Sequence, residues 1–81
     1  MLRNQRMLID SVIKTIRITS DDRQVVVVSR IRHSCLCLGI NGNTRWIQDQ
    51  DLRRSDDLKV SDINFWCNRL ELYYNQNAPC R

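Results

Sequence analysis

The residue types best suited to chemistry sit close together in the run His33-Ser-Cys35-Leu-Cys37. In an extended strand, residues two apart project on one face, so all three side chains would line one side. With Cys67 or Cys80 as a fourth donor, the set has the ligand types of a tetrahedral zinc site. The strand rise puts neighbouring candidates roughly 6–7 Å apart at the backbone, so their side chains would have to converge. A C-x-x-C turn converges by itself; this spacing does not. The expectation is that no metal is held, and that Cys35 and Cys37 are small apolar core residues beside Trp46.

A cysteine nucleophile would need His33 within hydrogen-bond reach and a third group to orient the imidazole. One histidine two residues from a cysteine does not by itself point to that arrangement. Carboxylates pair at Asp21-Asp22, Asp49/Asp51 and Asp56-Asp57, all in turn-like segments where aspartate shapes the backbone. Gly39 and Gly42 are the only glycines, so there is no glycine-rich phosphate loop. Neither catalysis nor a cofactor is expected.

Charge placement is more suggestive than the net charge of +4. Between Arg23 and Gln48 lie Arg23, Arg30, Arg32 and Arg45, with no acidic residue among them. From Asp49 to Asp62, five aspartates face Arg53, Arg54 and Lys59. A clustered basic face is the electrostatic footprint of a phosphate-backbone binder, and arginines also serve simply to solvate the outer face of a sheet. Trp46 stands nearby as a base-stacking candidate. A second cluster, Trp66, Tyr73 and Tyr74, lies near the C-terminus; if exposed, it would mark a protein-binding surface or a homodimer seam.

These side chains must be placed by one small domain spanning 1–81, since 81 residues leave room for a single core. A chain of this size buries only about 60–65% of its unfolded surface. The composition, 42% hydrophobic and 27% charged, argues against wholesale disorder. The longest apolar run, Val25 to Val28, is far too short for a membrane span. Asp10 and Lys14 interrupt the apolar stretch that a leader opening on Arg3 and Arg6 would need. The expected setting is the cytoplasm, with reduced thiols and no membrane partner.

Ile9, Val12, Ile13 and Ile16 recur at helical spacing, which predicts a helix over 3–13 followed by a strand over 14–19. Ser20-Asp21-Asp22 reads as a turn, and the β-branched run Gln24 to Ile31 as a strand. Ser29 to Ser34 is either a bend in a long strand or a second turn. Asn41-Gly42 between alternating segments predicts a two-residue type I′ hairpin joining Cys35–Ile40 to Asn43–Ile47. That register sets Leu36 opposite Ile47, and Cys37 opposite Trp46. Ser61 reads as the N-cap of a helix over 62–74, for which a strand is the competing assignment, with a frayed tail from about residue 75. The fold class is α+β: a three- to four-stranded antiparallel meander flanked by an N-terminal and a C-terminal helix.

The run Gly42-Asn-Thr-Arg-Trp-Ile-Gln-Asp-Gln-Asp-Leu-Arg53 resembles the closing strands of Tudor-like and Src-homology-type small barrels. There, a glycine-asparagine turn leads into a strand that ends in a short leucine-arginine segment. The resemblance covers about a dozen residues and implies a meander curled towards a small barrel. Tudor domains that read methylated side chains use a cage of several aromatics. Between Arg17 and Leu58 this chain has only Trp46 besides His33, so the resemblance carries over to the fold alone.

Two functions from different classes fit these features. One is a non-enzymatic module or regulator whose basic sheet, through Arg23, Arg30, Arg32 and Arg45, contacts nucleic acid. The other is an inhibitor that binds a larger protein through Trp66, Tyr73 and Tyr74. Short, compact, motif-free basic chains of this kind are common among regulators encoded by phages and other mobile elements.

Overall fold

The structure is a computed structural model that describes residues 2–76, with side chains described from residue 9 onward. Helix α1 (Leu2–Thr15) leads into strand β1 (Ile16–Ile18) without a loop. Strands β2 (Gln24–Ile31), β3 (Ser34–Leu38) and β4 (Thr44–Gln48) follow as a meander. A 3-10 turn over Asp49–Asp51 precedes the short strand β5 (Arg53–Arg54), and helix α2 (Val60–Gln76) is the last element of the described residues. Residues 75 and 76, expected in a frayed tail, are helical in α2; the rest of that segment, with Cys80, lies outside the described residues.

All five strands form one antiparallel sheet in the order β4-β3-β2-β1-β5. Expectation gave three or four strands. The fifth pairs Arg53 and Arg54 with Ile18 and Arg17, so β5 returns to the start of the meander. Edge strands β4 and β5 stay unpaired with each other, and the barrel is not closed.

Alternation along the strands gives each face its own core. On the helix-bearing face, Ile16, Val26 and Leu38 meet Val12 of α1 and Trp66 and Leu70 of α2. On the opposite face, Val25, Cys35 and Cys37 pack with Val27, Ile47 and Leu52. Leu52 reaches that face because the segment from Asp49 onward leaves β4 at one sheet edge and must arrive at β5 on the other. It acts as a strap over the cysteines.

Local chemistry explains the ends of the elements. The Arg17 guanidinium donates to the Lys14 carbonyl at 2.8 Å, an acceptor freed where α1 stops, and to the Ile16 carbonyl of β1 at 3.0 Å. Between β1 and β2 the Thr19 hydroxyl donates to the Asp21 carboxylate, and Asp22 takes a positive φ of 63°. Helix α2 starts at Val60, earlier than a Ser61 cap would allow. The Lys59 N–H donates to Asp62 Oδ2 at 3.2 Å, and the Ile63 N–H to the Lys59 carbonyl at 3.1 Å, so Asp62 reaches back over the first turn as in half of a capping box.

The β3–β4 hairpin differs from expectation by one residue. Leu36 pairs with Trp46, Cys37 with Arg45 and Cys35 with Ile47. The loop has three residues, Ile40-Asn41-Gly42, closed by the Gly39 N–H donating to the Asn43 carbonyl at 2.9 Å. A second bond, from the Gly42 N–H to the Gly39 carbonyl, measures 3.1 Å. Only Gly42 has a positive φ, of 86°, whereas a type I′ turn needs one at Asn41 as well. A one-residue slip sends every side chain to the other face. Ile47 therefore lies beside the cysteines, and Trp46 lies on the helix-bearing face.

Candidate functional site

The segment Ser29–Ser34 contains both features that its sequence left open. A bulge interrupts the β2–β3 register between Val27 and Ser29, and a two-residue turn, Arg32-His33, joins Ile31 to Ser34. Arg32 sits at the first central position with φ 55°. That conformation costs about 1–2 kcal/mol for a residue with a Cβ.

Beside this turn, α1 and α2 do not cover the helix-bearing face. Ile31, Ser34, Trp46 and Gln48 share that face with Arg32 and His33 around an open shelf of about 480 Å³. Trp46 is 50% exposed and Ile31 59% exposed, although both belong to strands. The shelf thus offers an indole surface, an aliphatic neighbour, a guanidinium, an imidazole and two neutral polar side chains. Among the described residues, Arg32 forms no ion pair.

The four arginines expected to act together are divided. Arg30 projects onto the opposite face and is ion-paired with Asp49, whose other carboxylate oxygen accepts from the Cys35 thiol at 3.6 Å. The sequence places Asp49 just beyond the carboxylate-free segment, but the β3–β4 hairpin carries it back beside Arg30. Arg23 lies 3.5 Å from Asp21, and both side chains are well exposed. Arg45 faces Cys37 on the side away from the helices. Of the four, only Arg32 stands on the shelf with Trp46.

No protein-family model matches this chain, and no curated protein or solved structure does.

The C-terminal aromatics do not assemble into an exposed cluster. Trp66 is 0% exposed and donates its indole N–H to Gln24 Oε1 at 2.8 Å, which makes it the centre of the core. Tyr73 is half-buried against that core, while Tyr74 is exposed and meets Tyr73 edge-on. Trp46, the stacking candidate, is exposed, whereas Trp66 of the C-terminal cluster is buried.

The run His33-x-Cys35-x-Cys37 does not present three donors together. His33 sits in the turn and lines the shelf, whereas Cys35 and Cys37 point into the core under the strap. Among the described residues, no group of three or more His, Cys, Asp or Glu side chains is placed to hold a metal ion. Cys35, Cys37 and Cys67 are free thiols. Burial pushes Cys37 up to about 11, with Cys35 beside it adding to the shift. Burial also raises Cys35, helped by its bond to Asp49, and raises Cys67, helped by the charge of Glu71. Raised thiols are poor nucleophiles, since only the thiolate attacks. No helix among the described residues is long and apolar enough to cross a membrane.

Sequence reasoning did not find Ile31, Ser34 and Gln48 as site residues. The missing signal was the loop length: a three-residue loop Ile40-Asn41-Gly42 between Gly39 and Asn43 puts Trp46 and Gln48 on the face of Ile31 and Ser34.

Proposed function

We propose that this protein is a small, non-enzymatic, cytoplasmic module that binds single-stranded nucleic acid on the shelf at the β2–β3 turn. The observation that carries the reading is Trp46, half exposed in the middle of an edge strand, with Arg32 and His33 beside it. Single-strand binders combine a flat aromatic on which a base stacks with cations that follow the phosphates. Here Trp46 supplies the stacking surface and Ile31 extends it, Arg32 meets a phosphate, and Ser34 and Gln48 offer hydrogen bonds to a base edge. The site is narrower than the whole basic sheet, because Arg30 is occupied by Asp49.

The test is binding of short single-stranded oligonucleotides across a salt series. Base–aromatic stacking is worth about 1–3 kcal/mol, so Trp46→Ala should weaken binding by roughly tenfold or more. Arg32→Ala should flatten the salt slope by about 0.7, one phosphate contact on a single strand. Arg30→Ala should leave the slope nearly unchanged. Absence of binding at low salt, or binding indifferent to Trp46→Ala, would reject the shelf as the site.

A further inference from the structure

A second concavity lies on the face away from the helices, between the β1–β2 turn and the Gly39–Asn43 loop. It encloses about 470 Å³, within the range of small-molecule sites. Val25 and Cys37 form an apolar floor, and Arg23, Arg45, Asp21 and Asn43 stand around it. The two guanidiniums come from separate segments, Arg45 from β4 and Arg23 from the residue before β2, so the fold itself brings them to one cleft.

The charge balance is unequal. Asp21 is held below the usual carboxylate range, first by the hydrogen bond from the Thr19 hydroxyl and further by the positive charges of Arg23 and Arg45. Arg45 is therefore near enough to feel that carboxylate, yet it forms no ion pair of its own among the described residues. The Arg23–Asp21 contact, at 3.5 Å between exposed groups, is loose and readily exchanged. Two guanidiniums against one carboxylate leave a net positive charge above an apolar floor.

We infer that this cleft binds a phosphomonoester of nucleotide size, with its phosphate between Arg23 and Arg45 and its ring or sugar over Val25 and Cys37. Guanidiniums take phosphate oxygens in paired hydrogen bonds, and a terminal phosphate carries about two negative charges for them to neutralise. Asp21, held in place by Thr19, accepts from a sugar hydroxyl or a base N–H. The Asn41 and Asn43 amides, on the loop that closes the cleft, can donate and accept. Such a group occurs on a free mononucleotide and at the end of a nucleic-acid strand; the chemistry recognised is the same. The inference does not rest on the Trp46 shelf, which lies on the other face and uses other side chains.

The experiment follows the backbone amide NMR signals of Asn41, Gly42 and Asn43 in the full chain while adenosine 5′-monophosphate is added, with adenosine as the control. Saturable shifts are expected with the monophosphate and none with adenosine. Arg45→Gln should weaken the monophosphate by about tenfold or more, the loss of a charge-assisted pair. Gly39→Val is the second variant. A Cβ at Gly39 would meet only Asn41 Oδ1 at 3.5 Å and the Asn43 carbonyl at 3.7 Å, both ordinary contacts, and Gly39 lines the cleft, so a valine there should narrow it. It should abolish the shifts with both arginines still present. Trp46→Ala should leave monophosphate binding intact, which separates this site from the shelf. A short 5′-phosphorylated oligonucleotide that competes with the monophosphate, where its unphosphorylated form does not, would identify the strand end as a source. Competition by neither would leave the free nucleotide. No monophosphate binding, or binding that ignores both Arg45→Gln and Gly39→Val, would overturn the inference.

Discussion

The indole Nε1 of Trp66 donates to Gln24 Oε1 at 2.8 Å, tying the middle of α2 to the first residue of β2. Trp66 is wholly buried, so its N–H has no water to turn to if that acceptor is lost. An orphaned buried donor costs about 1–3 kcal/mol, more than the net worth of the bond itself. Gln24→Leu should lower unfolding stability by that amount in urea titrations followed by circular dichroism. The same change made in a Trp66→Phe background should cost clearly less, because no donor is left to orphan. Equal costs in both backgrounds would show that the bond contributes nothing.

Gly42 tests the loop geometry. At φ 86° it occupies left-handed backbone, and a Cβ built there would meet nothing within 4 Å. Any penalty for a side chain is therefore conformational and not steric crowding. Gly42→Val should cost about 1–2 kcal/mol, and Gly42→Asn distinctly less, since asparagine tolerates this region. Thermal melts of the two variants that coincide with the parent would contradict the three-residue loop.

Arg32 should show opposed effects on stability and binding. Its φ of 55° lies where a two-residue hairpin turn favours glycine. Arg32→Gly should stabilise the fold by roughly 0.5–1 kcal/mol, after allowing for the greater freedom of glycine in the unfolded chain. The same variant should bind oligonucleotides more weakly at low salt. Backbone strain retained beside a binding surface is a recurrent arrangement. A variant that is less stable than the parent would remove the argument from strain.

The buried thiols predict an alkaline limit to stability. Cys37 holds its proton up to about 11 in the folded state, above the range of an unfolded thiol. A raised folded pKa gives stability that is fully present below the unfolded value and is lost as pH rises through the folded one. Melting temperatures should therefore fall between about pH 9 and pH 11, and the fall should be smaller in Cys37→Ala. Near pH ~8, thiol reagents should label Cys35 and Cys37 slowly in the native protein and rapidly in denaturant, as read by mass spectrometry. Fast native labelling of Cys37 would contradict its burial.

The parts of the fold legible in the sequence were those set by local patterns. The valines of β2 and the helical spacing around Val12 and Ile16 mark their elements directly, and Asp22 and Gly42 mark their turns. The fifth strand was hidden because Arg53 and Arg54 carry no β signal; their conformation comes from pairing with Arg17 and Ile18. The site was hidden for a related reason. Whether Trp46 is buried depends on how many residues close the Gly39–Asn43 loop, and a difference of one residue reverses the answer. Arg30 reads as a free cation until the hairpin brings Asp49 to it. Helical spacing defines the apolar stripe of α2, yet only Gln24, from a distant strand, explains why Trp66 can be sunk completely.

The strap also imposes an order of events. The β2–β3 and β3–β4 pairs close through short turns, so they can form as soon as their own residues collapse. The β1–β5 pair must wait for the chain to complete both hairpins and cross beneath them, and it gains only two paired residues when it arrives. It should therefore be the last seam to close and the first to part. When it parts, Leu52 lifts away from Cys35 and Cys37, and the otherwise silent cysteine face becomes a chemical record of how often the molecule breathes.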